Sequence, residues 1–238
     1  MATNTIRERI IAAIVIRLGA VLTTKGFNLS SGANVTRASN NLDPDLIPCL
    51  NVIPQTEEVV QIASGNQHSM IIKIESAAAH GTTNPSVIAE QLLGDMIEAM
   101  TAVAWTLSFT SGGTYEPKVG DVVTGATGGA TATIEAIAVG SGTWAGGDAA
   151  GTFTLRRLDG LFQVENLNVG ATLNVATIAG APSGSKAVAL VTGGLAEGVR
   201  YIEGGPTEYP DEDDTLTGCS AFFQVNYSTK VGDPYNQP

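Results

Sequence analysis

Apolar and polar positions change period several times along this chain. Between residues 5 and 22, Ile6, Ile10, Ile14, Leu18 and Val21, with Ala13 and Arg17 among them, recur at helical spacing. That spacing predicts a helix with a wide apolar arc, suited to packing on a sheet or between subunits. Thr5 and Glu8 stand at capping-box spacing, which would satisfy two free amides at the helix start, and Gly26 is the predicted stop. Residues 28–41 are rich in Ser, Asn and Gly and predict a long loop, a common place for interaction sites. Leu46–Ile53 predicts a strand opened by Asp43-Pro44 and closed by Pro54. Glu57–Ile62 and Met70–Glu75 predict a hairpin around Ser64-Gly65-Asn66, with Met70, Ile72 and Ile74 on one face. Asn84 followed by Pro85 predicts a helix start, a capping side chain before a proline whose missing donor costs nothing there. That helix is expected to run to about Ala104, with Ile88, Leu92, Met96, Ala99 and Val103 as its apolar stripe.

From Trp105 to about Gly194 helical spacing disappears. Short runs such as Asp121–Val123, Ala132–Ile137, Thr152–Leu155, Phe162–Val164 and Thr172–Val175 alternate with Gly-rich turns. They predict a small all-β unit, sandwich-like or barrel-like. Leu195–Glu203 then predicts a strand, Gly204-Gly205-Pro206 a turn, and Glu208–Asp214 an acidic loop. In Gly218–Thr229, Ala221, Phe223, Val225 and Tyr227 alternate with Phe222, Gln224 and Asn226. This predicts a last strand with one strongly apolar face, completing a sheet begun near the N-terminus and ended by Gly232 and Pro234.

Composition narrows the classes. Hydrophobic residues at 43% against 15% charged exclude wholesale disorder. The net charge of −11 argues against nucleic acid bound by the general surface, which needs clustered Lys and Arg. It suits a surface that DNA slides past. Cys49 and Cys219 make neither a disulfide framework nor a zinc site and read as buried thiols in a reducing compartment. No run is long enough to cross a membrane.

Chemistry-bearing motifs are weak. Gly140–Ala145 matches G-x-G-x-x-A, but Gly146-Gly147-Asp148 follows where a helix must start, so a β-turn is expected. Asp211–Asp214 offers hard oxygen ligands, yet the EF-hand pattern fails at Leu216 and Phe222, and a solvated loop is the expectation. His68 and His80, the two histidines, have no ligand spacing. No catalytic residues, cofactor or metal are expected, and the chain reads as a structural or interaction protein rather than an enzyme. Trp144, Phe153 and Phe162 are expected to form the β module's core; the alternative makes Trp144 an exposed ring, the candidate for a binding surface on the module.

The flanking segments resemble the tail terminator (tail completion, minor tail protein U-like) family of tailed bacteriophages. The resemblance rests on the N-terminal amphipathic helix, Leu42-Asp43-Pro44 with Leu46-Ile47-Pro48, the hairpin, and the helix from Pro85. It continues in Gly198-Val199-Arg200-Tyr201-Ile202-Glu203-Gly204-Gly205, Val225-Asn226-Tyr227 and Gly232-Asp233-Pro234-Tyr235. These fall in residues 1–104 and 195–238, with residues 105–194 as an inserted β accessory domain. The resemblance implies an α+β fold, a mixed or antiparallel sheet with two helices packed on it. It implies a hexameric ring that ends tail-tube growth and joins the tail to the head connector, with DNA passing the lumen unbound. The expected partners are further copies of the chain, tail tube and sheath proteins, and connector proteins, in a virion assembled in the host cytoplasm; no membrane is involved. Asp211, Glu212, Asp213, Asp214, Gly232, Asp233, Pro234 and Tyr235 are the candidate inter-subunit or inter-ring contacts. The alternative is another neck or decoration protein whose β module binds a capsid surface or a host glycan.

Overall fold

A computed structural model describes residues 4–39, 44–185, 191–192, 194–208 and 215–238. The chain divides into two compact units. One comprises Met1–Thr23, Phe27–Thr101 and Ala187–Pro238, the other Thr24–Gly26 and Ala102–Lys186.

The first unit begins with α1 (Ile6–Leu18), which buries Ile6, Ile10, Ile11, Ile14 and Leu18. Thr5 Oγ1 accepts the Glu8 amide at 3.2 Å, the forward half of the predicted capping box. The reciprocal half is replaced. Both Glu8 oxygens take a two-pronged bond from Arg37 at 2.6 and 2.7 Å, a fork geometry stronger than a neutral amide contact. The helix ends at Gly19, seven residues before the expected stop. The reason is a backbone crossing: Gly32 donates to the Val21 carbonyl at 2.9 Å, and a Cβ there would lie 2.3 Å from the Leu18 oxygen.

The expected loop over residues 28–41 holds a short strand, β1 (Val35–Arg37), parallel to β2 (Cys49–Ile62). Pro54 does not close β2. A register shift between Pro54 and Glu57 absorbs it, and β1 covers only Leu50–Val52, so the missing amide faces an unpaired edge. β3 (Gly65–Ala79) returns antiparallel, with Met70, Ile72 and Ile74 fully buried as expected.

α2 (Pro85–Thr101) starts where predicted, with Asn84 Oδ1 accepting the Ser86 amide at 2.9 Å. It stops at Thr101, so Val103 leaves the stripe and is exposed. In its last turn the Ala99 carbonyl accepts buried Arg17 Nε at 3.0 Å, a cation where unpaired carbonyls gather. Asp95, on the same helix, accepts the amides of Asn28 and Leu29 at 3.0 and 2.9 Å and Asn28 Nδ2 at 2.8 Å, pinning the loop after α1.

β11 (Gly198–Glu208) and β12 (Leu216–Thr229) complete a mixed five-stranded sheet, ordered β1-β2-β3-β12-β11. β11 runs straight through Gly204-Gly205-Pro206, the predicted turn, with register shifts at Tyr201/Glu203 and Pro206/Glu208. Pro206 is tolerated because, among the described residues, the outer side of β11 carries no partner strand. Both helices pack on the face formed by Met70, Ile72, Ile74, Ala221, Phe223 and Val225. The fold is α+β. Cys49 and Cys219 are free and buried. They flank β3 but pair with successive residues, Ala77 and Ser76, and so point to opposite faces. Burial pushes the Cys219 thiol up to about 12.

The second unit is a closed barrel. Its strands are β4 (Ala104–Gly112), β5 (Val122–Gly125), β6 (Thr131–Ser141), β7 (Ala150–Asp159), β8 (Val164–Val169), β9 (Thr172–Ala179) and β10 (Ser183–Ser185). The ladder runs β4-β7-β6-β5-β8-β9 and returns to β4, antiparallel throughout, with β10 added beside β4. Ser185 pairs with Ala104, so the barrel's first and last strands meet within about 5 Å. Trp144 is not a surface ring. It is 8% exposed and stacks on Phe109 at 5.2 Å, which in turn stacks on Phe153 at 4.5 Å. Inward-facing side chains fill a barrel this small, and these three rings are among them. Arg156 is fully buried, pairs with Glu135 at 2.9 Å, and donates to the Lys25 carbonyl.

Candidate functional site

The first unit gathers its polar side chains where the β2–β3 hairpin, the end of β12, the start of α1 and the C-terminal residues meet. β12 ends in a hook. Gly232 takes φ +71°, a left-handed value that glycine adopts cheaply. Lys230 bridges to Asp233, and Lys230 donates to the Asn236 carbonyl at 3.0 Å. Asp233 accepts the Tyr235 amide at 3.0 Å and Asn236 Nδ2 at 2.8 Å. The Asn236 bond and the Tyr235 amide hold its carboxyl below the usual carboxylate range. The Pro234 carbonyl accepts the Ile6 amide at 2.9 Å, one of the free donors of the α1 N-terminus. Of the expected contact residues, Gly232–Tyr235 thus form an ordered hook that leaves Tyr235 44% exposed. Asp211–Asp214 lie outside the described residues, and Trp144 belongs to the barrel.

Beneath the hook sits a cluster that sequence reading does not assemble. Tyr227 is buried and stacks on His68, with ring centroids 4.5 Å apart and planes within 8°. Its hydroxyl donates to Glu57 Oε1. Burial first, and the Glu57 carboxylate second, push the Tyr227 phenol well above its ordinary value, so it remains a donor. His68 Nδ1 stands 3.5 Å from the same oxygen, and its Nε2 lies 2.9 Å from Thr229 Oγ1. Arg7 approaches Glu57 at 3.9 Å and donates to the Gln55 carbonyl at 3.1 Å. One carboxylate thereby ties α1, β2, β3 and β12 together. Beside it opens a cleft of about 330 Å³ edged by Glu58, Val60, Glu197 and Asn226.

The signal for His68 and Tyr227 was parity: each continues its strand's buried alternation, two residues from Met70 and Val225. The register that sets His68 opposite Tyr227 appears only in the fold. His80 is twelve residues along from His68, about 40 Å in extended chain, so the two histidines share no site. Among the described residues no group of three or more His, Cys, Asp or Glu is placed to hold a metal, and no helix is long and apolar enough to cross a membrane. Gly140–Ala145 ends β6 and turns: Asp148 Oδ1 accepts the Thr143 amide at 2.9 Å, and β7 follows. The cluster around Glu57 fixes the hairpin against the helix start. No protein-family model matches the chain, and no curated protein matches it in sequence.

Proposed function

We propose that this chain is a ring-forming structural subunit of a tailed-phage virion, a tail terminator. Copies close into a ring, which ends tail-tube growth because one face fits the tube end and the other fits the head connector. The observation that carries this reading is the discontinuous first unit. Apart from Leu42 and Asp43, which lie outside the described residues, the segments bearing the family resemblance, separated by the barrel, lie in one sheet-and-helix body. The barrel leaves and rejoins that chain at neighbouring residues, Ala104 and Ser185, as suits an accessory domain. A heterologous contact repeated around an axis closes when the rotation per copy sums to a full turn. The net charge of −11 gives DNA passing the lumen little to adhere to.

The glycan-binding alternative rested on an exposed Trp144, whose burial withdraws that support. Negative-stain images and native mass of the purified full chain test the proposal. The expected result is an annulus of one fixed stoichiometry that caps purified tail tubes. A monomer at every concentration, inert toward tubes, overturns it.

A further inference from the structure

The sheet of the first unit ends in two unpaired edges. β1 covers β2 only as far as Val52, Ala38 donates to the Val52 carbonyl, and Arg7 occupies the Gln55 carbonyl. Among the described residues, nothing pairs with the outer backbone of residues 56–62, and Val59 and Val60 are 52% and 61% exposed there. On the far side, β11 pairs, among the described residues, only with β12. Its outer edge is regular over Gly198–Tyr201, before the first register shift. An exposed strand edge is a template for another strand.

The two edges lie at one level. Glu57 pairs with Met70, Met70 with Val225 and Val225 with Val199; the next row runs Glu58, Ser69, Asn226, Gly198. They also run in opposite directions, because three antiparallel pairings separate them. A copy related by rotation therefore offers its β11 to this β2 in the antiparallel sense, continuing the alternation already present. Charge selects this arrangement over a two-fold one. Residues 56–62 of β2 carry Glu57 and Glu58 and no cation of their own, and with Arg7 already beside Glu57 at 3.9 Å, Glu58 is the exposed carboxylate of that edge, while Gly198–Tyr201 carries Arg200 and no anion. Pairing β2 with β2 sets carboxylates against carboxylates, and β11 with β11 sets Arg200 against Arg200; like charges facing across strands are destabilising.

We propose that neighbouring copies join by antiparallel pairing of the β2 edge of one with the β11 edge of the next, Glu58 facing Gly198 with Arg200 as its diagonal neighbour on the same face, so that the sheet continues from subunit to subunit. The proposal rests on the ring reading and names its contact. Its test uses the full chain with Glu58→Arg, Arg200→Glu, both together, and the pair Glu58→Cys with Gly198→Cys, where an added Cβ meets nothing within 4 Å. Cys49 and Cys219 are buried, so new crosslinks report the new thiols. Each single reversal is expected to weaken association about fivefold per interface, compounding around the ring, and the double reversal to restore it. The cysteine pair is expected to give a covalent ladder ending at the ring stoichiometry under oxidation. Rings that form unchanged in both single variants, with no crosslink, overturn the edge pairing and leave the ring reading standing. A wild-type monomer at all concentrations overturns both.

Discussion

In the barrel, the ladder that leaves β4 through β7 comes back to β4 through β9; in the sheet unit it stops at β1 and at β11. Closure removes strand edges, and an open sheet keeps them. The same chain therefore contains a body with little backbone left to offer and a body with two edges to offer. The barrel hides its aromatics, Phe109, Trp144 and Phe153, in its own interior. The sheet unit hides its apolar face under two helices and leaves Val59, Val60 and Ile62 in the open. Under the proposed ring reading, assembly falls to the open sheet and accessory duty to the barrel.

Spectroscopy can separate the two bodies, since both tryptophans, Trp105 and Trp144, lie in the barrel unit, and α1 and α2 lie in the other. The largest effects come from the cores. Phe153→Ala should cost the barrel about 3–5 kcal/mol and shift the fluorescence transition in denaturant, while Phe223→Ala should cost the sheet unit a similar amount and shift the helical circular dichroism. If either variant moves both signals equally, the units unfold as one body and the comparison fails.

Next come two buried carboxylates that each accept three N–H donors. Glu165 takes the amides of Thr127, Gly128 and Gln163 at 2.7, 2.8 and 3.2 Å. Burial alone would raise it, but those donors bring it below the usual carboxylate range. Asp95 is raised, because burial outweighs its donors and Glu98 adds like charge. Glu165 therefore stabilises the barrel above the ordinary Glu value, and that stability is lost as pH falls through its lowered value. Asp95 works in the opposite sense: its contribution is full below the ordinary Asp value and is lost as pH rises through its raised one. Acid should weaken the fluorescence transition relative to the helical one between about pH 5 and pH 3. Glu165→Gln should cost the barrel about 1–3 kcal/mol at neutral pH and flatten that dependence. A smaller effect is expected from Tyr227→Phe, which removes the bond to Glu57: about 1 kcal/mol on the helical signal alone.

Much of the sheet unit was written in local pattern. The alternation of β12, the Asn84-Pro85 start and the stripes of α1 and α2 each follow from side chains within one element. What escaped depended on neighbours. β1 hides in a Ser- and Asn-rich segment because a parallel partner, not its own residues, makes it a strand. Gly204-Pro206 reads as a turn until β11 proves to be an edge. The return of β9 to β4 depends on barrel closure, which no short window of sequence contains. The Glu57–His68–Tyr227 cluster needed a register across two pairings.

The most direct test of the division of labour is native mass of the full chain beside a version with residues 102–186 replaced by a short Gly-Ser linker, which the adjacency of Ala104 and Ser185 makes easy to close. The account predicts the same closed stoichiometry for both. A shortened chain that folds, keeps its helical signal and remains monomeric while the full chain forms rings would place assembly in the barrel and contradict it.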